Sequence, residues 1–330
     1  MPHASIIGTG SSTPDRVLSN KDLEVIVDTS DEWITRRTGI KERRISSKDG
    51  SENTTELATR ASLKAMEMAG VSPKGLDMIV AGTVTPDRQF PSAACMVQKA
   101  LNADNAVAFD VSAGCSGFLY ALSVVHNAIQ CGTCKTALVL GVERLSSILN
   151  WQDRGTCVLL GDGAGAVVVT SVNDECGILS NHLRSNGTLW ELLYASYGSS
   201  YTPEILQGLD IKPFYINMAG NRLFKRAVVY LSSIATEAMR HNSLSSKDIG
   251  LLVPHQANIR IIKAMAKSLN IPMEKVYTNI HRYGNTSSAS IPLALDEANR
   301  EGLLIKGAHV LLVSFGAGLT WASSILKWAI

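Results

Sequence analysis

The chain repeats one succession of strands and helices, and this repeat limits the folds open to it. In the first half, the segment AMEMAGVSPKGLD leads into the strand MIVAG, and a second strand, a turn at Cys115 and an apolar helix follow. In the second half, SSKDIG leads into the strand LLVP, and the strand KVYTNI is followed by a turn at Asn285 and a small-residue helix. Such internal similarity predicts an α/β protein with two pseudo-symmetric halves, residues 1–172 and 173–330, whose central helices begin near each other.

Cys115 lies in the stretch AVAFDVSAGCSGFLYALSVVHNA, where alternating β-formers give way to an apolar helical pattern. The pattern therefore predicts that Cys115 sits at a strand-to-helix turn. Free N–H groups and the positive end of a helix dipole stabilise a thiolate, which is the form of cysteine that attacks carbonyl carbons. Small neighbours at 114, 116 and 117 leave room for an acyl group. The alternative is an inert, buried cysteine.

Two further residues occupy corresponding places in the second half. His255, in VPHQAN, follows a strand, and Asn285, in RYGNTSSAS, is expected to begin the central helix. Open α/β sheets place their sites at the carboxyl ends of strands, so the repeat predicts that Cys115, His255 and Asn285 form one site. Taken singly, His255 could be a hydrogen-bonded turn residue and Asn285 an ordinary helix cap.

Composition argues against several classes of protein. The 330 residues are 45% apolar and carry a formal net charge of +2. Neither a polybasic run nor a long uncharged apolar stretch occurs, so neither a nucleic-acid partner nor a membrane is expected. The first residues enter a strand pattern without the features of a signal or transit peptide, which predicts a cytoplasmic protein.

Two short motifs are set aside. The ASIIGTG turn lacks the third glycine and the helix of a dinucleotide fingerprint. Cys131 and Cys134 form a C-x-x-C, but no second pair completes a tetrahedral metal site, so no metal is expected.

The segment TSDEWITRRTGI predicts a short helix opened by a capping box of Thr29 and Glu32. This helix carries Trp33, Arg36 and Arg37. An aromatic ring beside guanidinium groups can stack on a purine and pair with phosphates, which suits a nucleotide-bearing ligand such as coenzyme A. A solvated charged face with one anchoring Trp is the alternative.

Together, AGCSGF, VPHQANIRI, RYGNTSSASIP, FGAGLTW and TSDEWITRRTGI resemble the β-ketoacyl-acyl-carrier-protein synthase III family of the thiolase superfamily. The resemblance runs from end to end, with the motifs in the family's order. It implies a thiolase-like five-layer αβαβα fold and a homodimer. It also implies an acyltransferase of type II fatty acid biosynthesis that condenses a short acyl-CoA, with acetyl-CoA expected, with malonyl-acyl carrier protein and releases CO2. No cofactor is implied beyond the coenzyme A thioester, which is a substrate.

The resemblance also implies roles for the three residues. Cys115 would accept the acyl group as a thioester, while His255 and Asn285 would donate hydrogen bonds to the enolate that forms as CO2 leaves. The backbone N–H groups of Cys115 and Ala317 would form the oxyanion hole. Several family members have glycine where Ala317 stands, and a methyl group there keeps the N–H.

Substrate-binding residues follow from the same resemblance. Trp33, Arg37 and Arg154 match positions that hold the adenine and phosphates of coenzyme A. Asn221 matches a position along the pantetheine channel, and Phe90 one that reaches into the partner subunit's acyl site.

A basic surface is expected to dock the carrier protein. Arg260, Lys263 and Lys267 recur at three- and four-residue steps on the helix after His255, and Lys225 with Arg226 forms a second basic cluster. Such a surface would attract an acidic carrier protein. A solvated helix face is the alternative.

Three other functions remain open at this point. A specialised thiolase-fold synthase of secondary metabolism could use the same triad with a longer, branched or aromatic starter, or the enzyme could be an acyltransferase that only transfers such an acyl group. A Cys-His thioester hydrolase would pass the acyl group to water. A non-enzymatic partner subunit would be expected to have lost the nucleophile, and Cys115 argues against it.

Overall fold

The computed structural model describes residues 3–195 and 215–330. Residues 1–2 and 196–214, which the two predicted halves include, lie outside the described residues. The strands are β1 (His3–Ser12), β2 (Val17–Ser19), β3 (Glu42–Arg44), β4 (Met78–Gly82), β5 (Val107–Val111), β6 (Thr136–Arg144), β7 (Asp162–Val172), β8 (Gly177–Ser185), β9 (Leu193–Ala195), β10 (Ile216–Met218), β11 (Ile249–Pro254), β12 (His309–Gly316) and β13 (Thr320–Lys327).

The α-helices are α1 (Asn20–Glu24), α2 (Asp31–Thr38), α3 (Thr54–Ala69), α4 (Ala93–Leu101), α5 (Gly117–Gln130), α6 (Arg154–Cys157), α7 (Gly220–His241), α8 (Ile259–Ser268), α9 (Ile280–Tyr283) and α10 (Ser290–Arg300). Short 3-10 helices are Pro73–Gly75, Gly114–Ser116, Leu145–Ile148, Gly187–Leu192, Met273–Lys275 and Ser287–Ala289. No helix in these described ranges has both the length and the apolarity to cross a bilayer.

Two sheets share one topology, as the repeat predicts. The first has the order β1-β7-β6-β4-β5, and the second has the order β8-β13-β12-β11. In each sheet one corresponding pair is parallel, β4 with β6 and β11 with β12. The next two pairings, β6 with β7 and β7 with β1 in one sheet and β12 with β13 and β13 with β8 in the other, are antiparallel. A single parallel bridge from Leu252 to Val276 takes the place that β5 has beside β4. The predicted boundary after residue 172 falls at the end of β7, just before the connection to β8.

Three apolar layers separate the helices and sheets. One joins α3 and α4 to the first sheet, a second surrounds α5 and α10 between the sheets, and a third joins α7 and α8 to the second sheet. Strand β6 is buried along almost its whole length, because helices cover both of its faces. The molecule therefore has the five layers, helix, sheet, helix, sheet, helix, that the family resemblance implies.

Glycines allow the central helices to lie close to the first sheet. A side-chain carbon on Gly82 would overlap the backbone of Gly117, and one on Gly141 would overlap the backbone of Ser288. These contacts bring the beginnings of α5 and α10 together over the ends of β4 and β6.

One predicted helix start is wrong by a residue. Ser30, not Thr29, caps α2, and its hydroxyl accepts a hydrogen bond from the Trp33 amide at 3.1 Å. The extended backbone of Ser30 (φ −144°, ψ 154°) has the geometry of a cap, whereas the Thr29 hydroxyl is buried without a hydrogen-bond partner.

Candidate active site

Cys115 lies in the turn between β5 and α5, as predicted. The turn is the 3-10 helix Gly114–Ser116, and the Cys115 side chain is half-buried. Gly114 has a left-handed backbone (φ +54°), and a side-chain carbon there would lie 2.6 Å from the Ala317 nitrogen. Glycine is therefore required immediately before the cysteine.

Asn285 lies in the second turn but does not begin α10. The 3-10 helix Ser287–Ala289 precedes α10, so Asn285 stands two residues before the first helical residue. Its backbone is held by hydrogen bonds to Leu159 and Gly161. Its side-chain oxygen accepts the Ser287 amide proton at 2.8 Å, which leaves the NH2 group to donate to another acceptor.

His255 directly follows β11 and is 4% exposed. Its amide donates to the Val313 carbonyl at 2.8 Å, and its ring Nδ1 lies 2.6 Å from the Ser290 hydroxyl. Burial lowers the pKa of His255 to about 3, so the imidazole is neutral at physiological pH. When Ser290 donates its proton to Nδ1, the other ring nitrogen carries the imidazole proton and is a donor.

The segment from Ser287 to Ser290 links all three residues. The short helix that begins with Ser287 packs against the Cys115 turn, and the Ser287 hydroxyl lowers the pKa of the Cys115 thiol. The Ser287 amide donates to the Asn285 side chain, and the Ser290 hydroxyl contacts His255. The structure thus brings a thiol, a neutral imidazole and a side-chain amide around one short turn. A nucleophile beside two neutral donors can form a covalent thioester and stabilise a developing negative charge on oxygen.

The Cys115 thiol is not the stabilised thiolate that its place before a helix predicts. Burial is the main reason that its pKa rises to about 11; the Ser287 hydrogen bond lowers the pKa, and the Glu143 carboxylate adds to the rise. The expectation from the helix dipole fails because the sulfur is largely removed from water and faces an acid. The resting thiol is protonated and must lose its proton when it attacks.

The end of β12 lies against the Cys115 backbone. A side-chain carbon on Gly316 would overlap the Cys115 nitrogen, and Ala317 approaches Gly114 from the same side. The two predicted oxyanion donors, Cys115 and Ala317, are therefore in neighbouring positions. The Thr320 hydroxyl donates to both the Ala113 and the Ala317 carbonyls, at 2.7 and 3.1 Å, and ties the two loops together.

Glu143, at the end of β6, belongs to none of the sequence motifs described above. It is 0% exposed and accepts hydrogen bonds from the Ser287 and Ser288 hydroxyls at 3.1 and 2.9 Å. The available signal was an acid that ends the otherwise apolar strand TALVLGVE. A charged residue in such a strand is worth inspection, because an unpaired buried charge is costly.

Two guanidinium groups flank the ring of Trp33. The Cζ atoms of Arg37 and Arg154 lie 5.6 and 5.0 Å from its centroid, and Arg154 is also tied to the Asp28 carbonyl at 2.6 Å. The structure thus assembles three of the predicted coenzyme A residues from α2 and α6. The other two lie elsewhere: Asn221 is exposed at the start of α7, and Phe90, before α4, is 82% exposed.

The predicted basic residues are exposed on two adjacent helices. Arg260, Lys263 and Lys267 lie on α8, and Lys225 lies on α7. Arg260 stacks on Phe224 of α7, with its Cζ atom 5.4 Å from the ring centroid. The two basic clusters therefore form one surface, which we call the α7–α8 basic surface.

Within residues 3–195 and 215–330, no group of three His, Cys, Asp or Glu side chains is arranged to hold a metal ion. In the C-x-x-C segment, Cys131 is exposed and Cys134 is buried, and both are free thiols in the connection between α5 and β6.

Two family models match the chain. The model described as 3-oxoacyl-[acyl-carrier-protein (ACP)] synthase III matches residues 109–187, and its C-terminal counterpart matches residues 239–328. The first match contains the Cys115 turn, and the second contains His255, Asn285 and Ala317.

Similar proteins cover the whole chain. A β-ketoacyl-[acyl-carrier-protein] synthase III from Caldanaerobacter subterraneus subsp. tengcongensis is 52% identical over 326 residues, which are 99% of this chain and 98% of that protein. The crystal structure of the Aquifex aeolicus VF5 3-oxoacyl-[acyl-carrier-protein] synthase III is similar with a TM-score of 0.92 and 48% identity, and the match covers 98% of this chain and all of that one. A priming β-ketosynthase from the R1128 polyketide biosynthetic pathway has a TM-score of 0.93 and 35% identity, with 99% and 96% covered.

Proposed function

This chain belongs to the 3-oxoacyl-[acyl-carrier-protein] synthase III family, and from that premise we propose that it is the initiating condensing enzyme of type II fatty acid synthesis. It transfers an acyl group from a coenzyme A thioester to Cys115 and condenses it with malonyl-acyl carrier protein, releasing CO2. The observation that carries the assignment of residues is the turn from Ser287 to Ser290, which contacts Cys115, Asn285 and His255 together.

The first half-reaction forms the acyl-enzyme. The Cys115 sulfur attacks the thioester carbonyl, and the carbonyl oxygen becomes negatively charged. The amides of Cys115 and Ala317, which lie in adjoining loops, donate to that oxygen. Collapse of this intermediate leaves an acyl group on Cys115 and releases coenzyme A as a thiolate, which takes up a proton from solvent.

The second half-reaction uses the two neutral donors. Loss of CO2 from the malonyl group leaves an enolate, whose oxygen accepts hydrogen bonds from His255 and from the Asn285 NH2 group. The low pKa of His255 keeps it neutral, so it acts as a donor without requiring a proton from solvent. The enolate carbon attacks the Cys115 thioester, which gives the β-ketoacyl carrier protein and regenerates the cysteine.

We propose that the two halves, residues 1–172 and 173–330, divide these roles between nucleophile and donors. Trp33, Arg37, Arg154 and Asn221 hold coenzyme A, and the α7–α8 basic surface receives an acidic carrier protein. No cofactor is required, because both substrates are activated as thioesters. The starter is a short acyl-CoA such as acetyl-CoA, and the location is the cytoplasm, where these thioesters are formed.

A homodimer is part of the same proposal. Among the described residues, strand β5 pairs with β4 alone, and Val107 on β5 is 60% exposed. Phe90 is more exposed still. An unpaired sheet edge with exposed apolar residues is suited to pairing with a second copy of the chain.

Intact-protein mass spectrometry tests the assignment. The protein is mixed with acetyl-CoA and then with malonyl-acyl carrier protein. We expect an acetyl group on Cys115 that is discharged only when the malonyl carrier is added, with a β-ketoacyl carrier protein as product. Release of free acid without the carrier would indicate a hydrolase, and absence of loading by any acyl-CoA would indicate a non-enzymatic subunit.

A specialised synthase is the second candidate, because the chain is also similar to a priming ketosynthase of a polyketide pathway. The same experiment with longer, branched and aromatic acyl-CoAs separates the two. Acylation of Cys115 by these starters but not by acetyl-CoA would indicate a specialised synthase that has the same triad and a different substrate.

A further inference from the structure

Glu143 is a buried acid whose partners are neutral. One carboxyl oxygen accepts from Ser287 and Ser288; the other accepts from the Thr85 hydroxyl at 2.5 Å, the Val84 amide at 3.1 Å and the Thr83 hydroxyl at 3.4 Å. Burying a carboxylate costs several kcal/mol unless it is neutralised or well hydrogen-bonded. These donors reduce that cost but supply no opposite charge, so the acid needs a reason other than ion pairing.

The repeat shows that the fold itself does not require this acid. Gly82 pairs with Gly141, and Pro254 pairs with Val313, at the ends of the two corresponding strands β4 and β11. Two residues beyond these pairs, β6 has Glu143 and β12 has Phe315. Phe315 is also buried, at 5% exposure. The second half thus has the apolar ring of Phe315 at the position that Glu143 occupies in the first half. Packing alone therefore does not explain the carboxyl group of Glu143.

Ser287 connects Glu143 with the nucleophile. Its hydroxyl donates to Glu143 at 3.1 Å, and the short helix that carries Ser287 packs against the Cys115 turn, where this hydroxyl lowers the pKa of the thiol. Ser287 has a left-handed backbone (φ +49°), a conformation that glycine adopts with less strain. Glycine there would lack the hydroxyl that binds Glu143.

We propose that Glu143 stores the Cys115 proton while the cysteine carries an acyl group, with Ser287 as the relay. This inference rests on the proposed function of Cys115 as acyl acceptor. As the sulfur attacks, its proton passes to the Ser287 oxygen and the Ser287 hydroxyl proton passes to the Glu143 carboxylate. When the enolate breaks the thioester, the proton returns by the same route to the Cys115 thiolate. Glu143 contacts neither substrate and is a positioning residue for the proton.

The electrostatics agree with this geometry. Burial raises the pKa of Glu143 to about 7, so the acid can hold or release a proton near neutral pH. The groups facing it are neutral donors from the loop after β4 and from the Ser287–Ala289 turn, and the titratable thiol of Cys115. Glu143 must be ionised to accept the proton, so acylation is lost as pH falls below about 7.

The test is the pH dependence of Cys115 acylation in single-turnover mass spectrometry. In the wild-type protein we expect the rate to fall on the acidic side of pH 7. Glu143→Gln keeps the shape of the side chain but cannot take the proton. It should lower the rate at neutral pH by about 10- to 100-fold, and the acidic fall should disappear.

A second variant distinguishes loss of the proton relay from misfolding of Glu143→Gln. Ser287→Gly suits the left-handed backbone and removes the relay hydroxyl, so it should give the same loss, and the double variant should be no slower than either single one. The matched control is Asp296→Asn, which alters another buried acid, bound to the hydroxyls of Thr9 and Ser11. It should leave the pH profile unchanged.

The outcomes separate the two proposals. Absence of acylation in the wild-type protein would refute the proposed function. If the wild-type protein is acylated while Glu143→Gln and Ser287→Gly react within twofold of it and keep the acidic fall, the proton-storage role is refuted. Additive losses in the double variant would also refute it, because they would place the two residues on separate paths.

Discussion

The Cys115 turn and the Asn285 turn are built alike but carry different chemistry. In each, a residue with a left-handed backbone, Gly114 or Ser287, begins a three-residue 3-10 helix, and the central helix starts directly afterwards. When Gly114 is matched with Ser287, Cys115 corresponds to Ser288, and Asn285 lies two residues before the repeated unit. The two predicted catalytic residues, Cys115 and Asn285, therefore occupy different positions in equivalent turns.

The difference shows how a symmetric scaffold can hold an asymmetric site. The Cys115 turn is supported by backbone, since Gly316 and Ala317 pack against it. The Ser287–Ser290 turn is supported by side chains that bind Glu143 and His255. We propose that the first turn accepts the acyl group and that the second provides the donors for decarboxylation.

The largest effect that this division predicts is at Cys115. Cys115→Ala should abolish acylation and lower condensation by at least about 10³-fold, because no other thiol occupies the turn. Cys115→Ser should also fail to load, since a hydroxyl is a much weaker nucleophile at neutral pH. Mass spectrometry with acetyl-CoA measures the loading, and Cys134→Ala, at a buried thiol outside the site, is the control. If either Cys115 variant were acylated normally, the nucleophile would have to be a residue outside this turn.

Substitutions of the two predicted donors should impair decarboxylation and spare the acylation of Cys115. His255→Ala and Asn285→Ala should each slow release of CO2 from malonyl-acyl carrier protein by about 10²- to 10³-fold, the cost of losing one donor to an oxyanion. Acylation of Cys115 should stay within a few-fold of the wild-type rate. Radiolabelled malonyl carrier and acyl-CoA measure the two steps separately, and an equal loss of both steps would contradict the division of roles.

The proposed coenzyme A site belongs mainly to the first half, and substitutions there should have a smaller effect than those at the triad. Arg154→Ala removes one of the two guanidinium groups over Trp33 and should raise the KM for acyl-CoA about 10-fold. An acyl-pantetheine donor, which lacks the nucleotide, should react equally with variant and wild type. Arg36→Ala, at another exposed arginine, on the helix α2 that carries Trp33, is the matched control. A rise in KM for both donors would show that Arg154 acts on the fold instead.

Much of this comparison was predictable from sequence because strands, turns and motifs are local. The repeat, the Cys115 turn and the family resemblance all come from contiguous residues. The support of the site is different: Glu143 meets Ser287 across 144 positions of the chain, and His255 meets Ser290 across 35. Contacts between distant residues leave no periodic pattern.

The thiol pKa and the helix cap show two further limits. A place before a helix predicts a stabilised thiolate, but burial and a facing acid outweigh the dipole at Cys115. The residues next to Cys115 in the sequence indicate neither its burial nor the proximity of Glu143. The misplaced cap of α2 is simpler, because Thr29 and Ser30 are both good caps and only the backbone angles distinguish them.

The smallest expected effect concerns the second half's outer surface. Lys263→Glu with Lys267→Glu reverses two exposed charges on α8 and should raise the KM for malonyl-acyl carrier protein about 3- to 10-fold, because long-range attraction to an acidic partner is lost. The loss should shrink at high salt, which screens the wild-type attraction as well. Lys99→Glu on α4, the corresponding outer helix of the first half, is the control for a change in net charge away from the α7–α8 basic surface. Since acylation by acyl-CoA does not involve the carrier protein, it should be unchanged in both variants. Equal effects of the α4 and α8 substitutions would mean that the carrier protein responds to net charge, and the α7–α8 basic surface would then have no special role in docking.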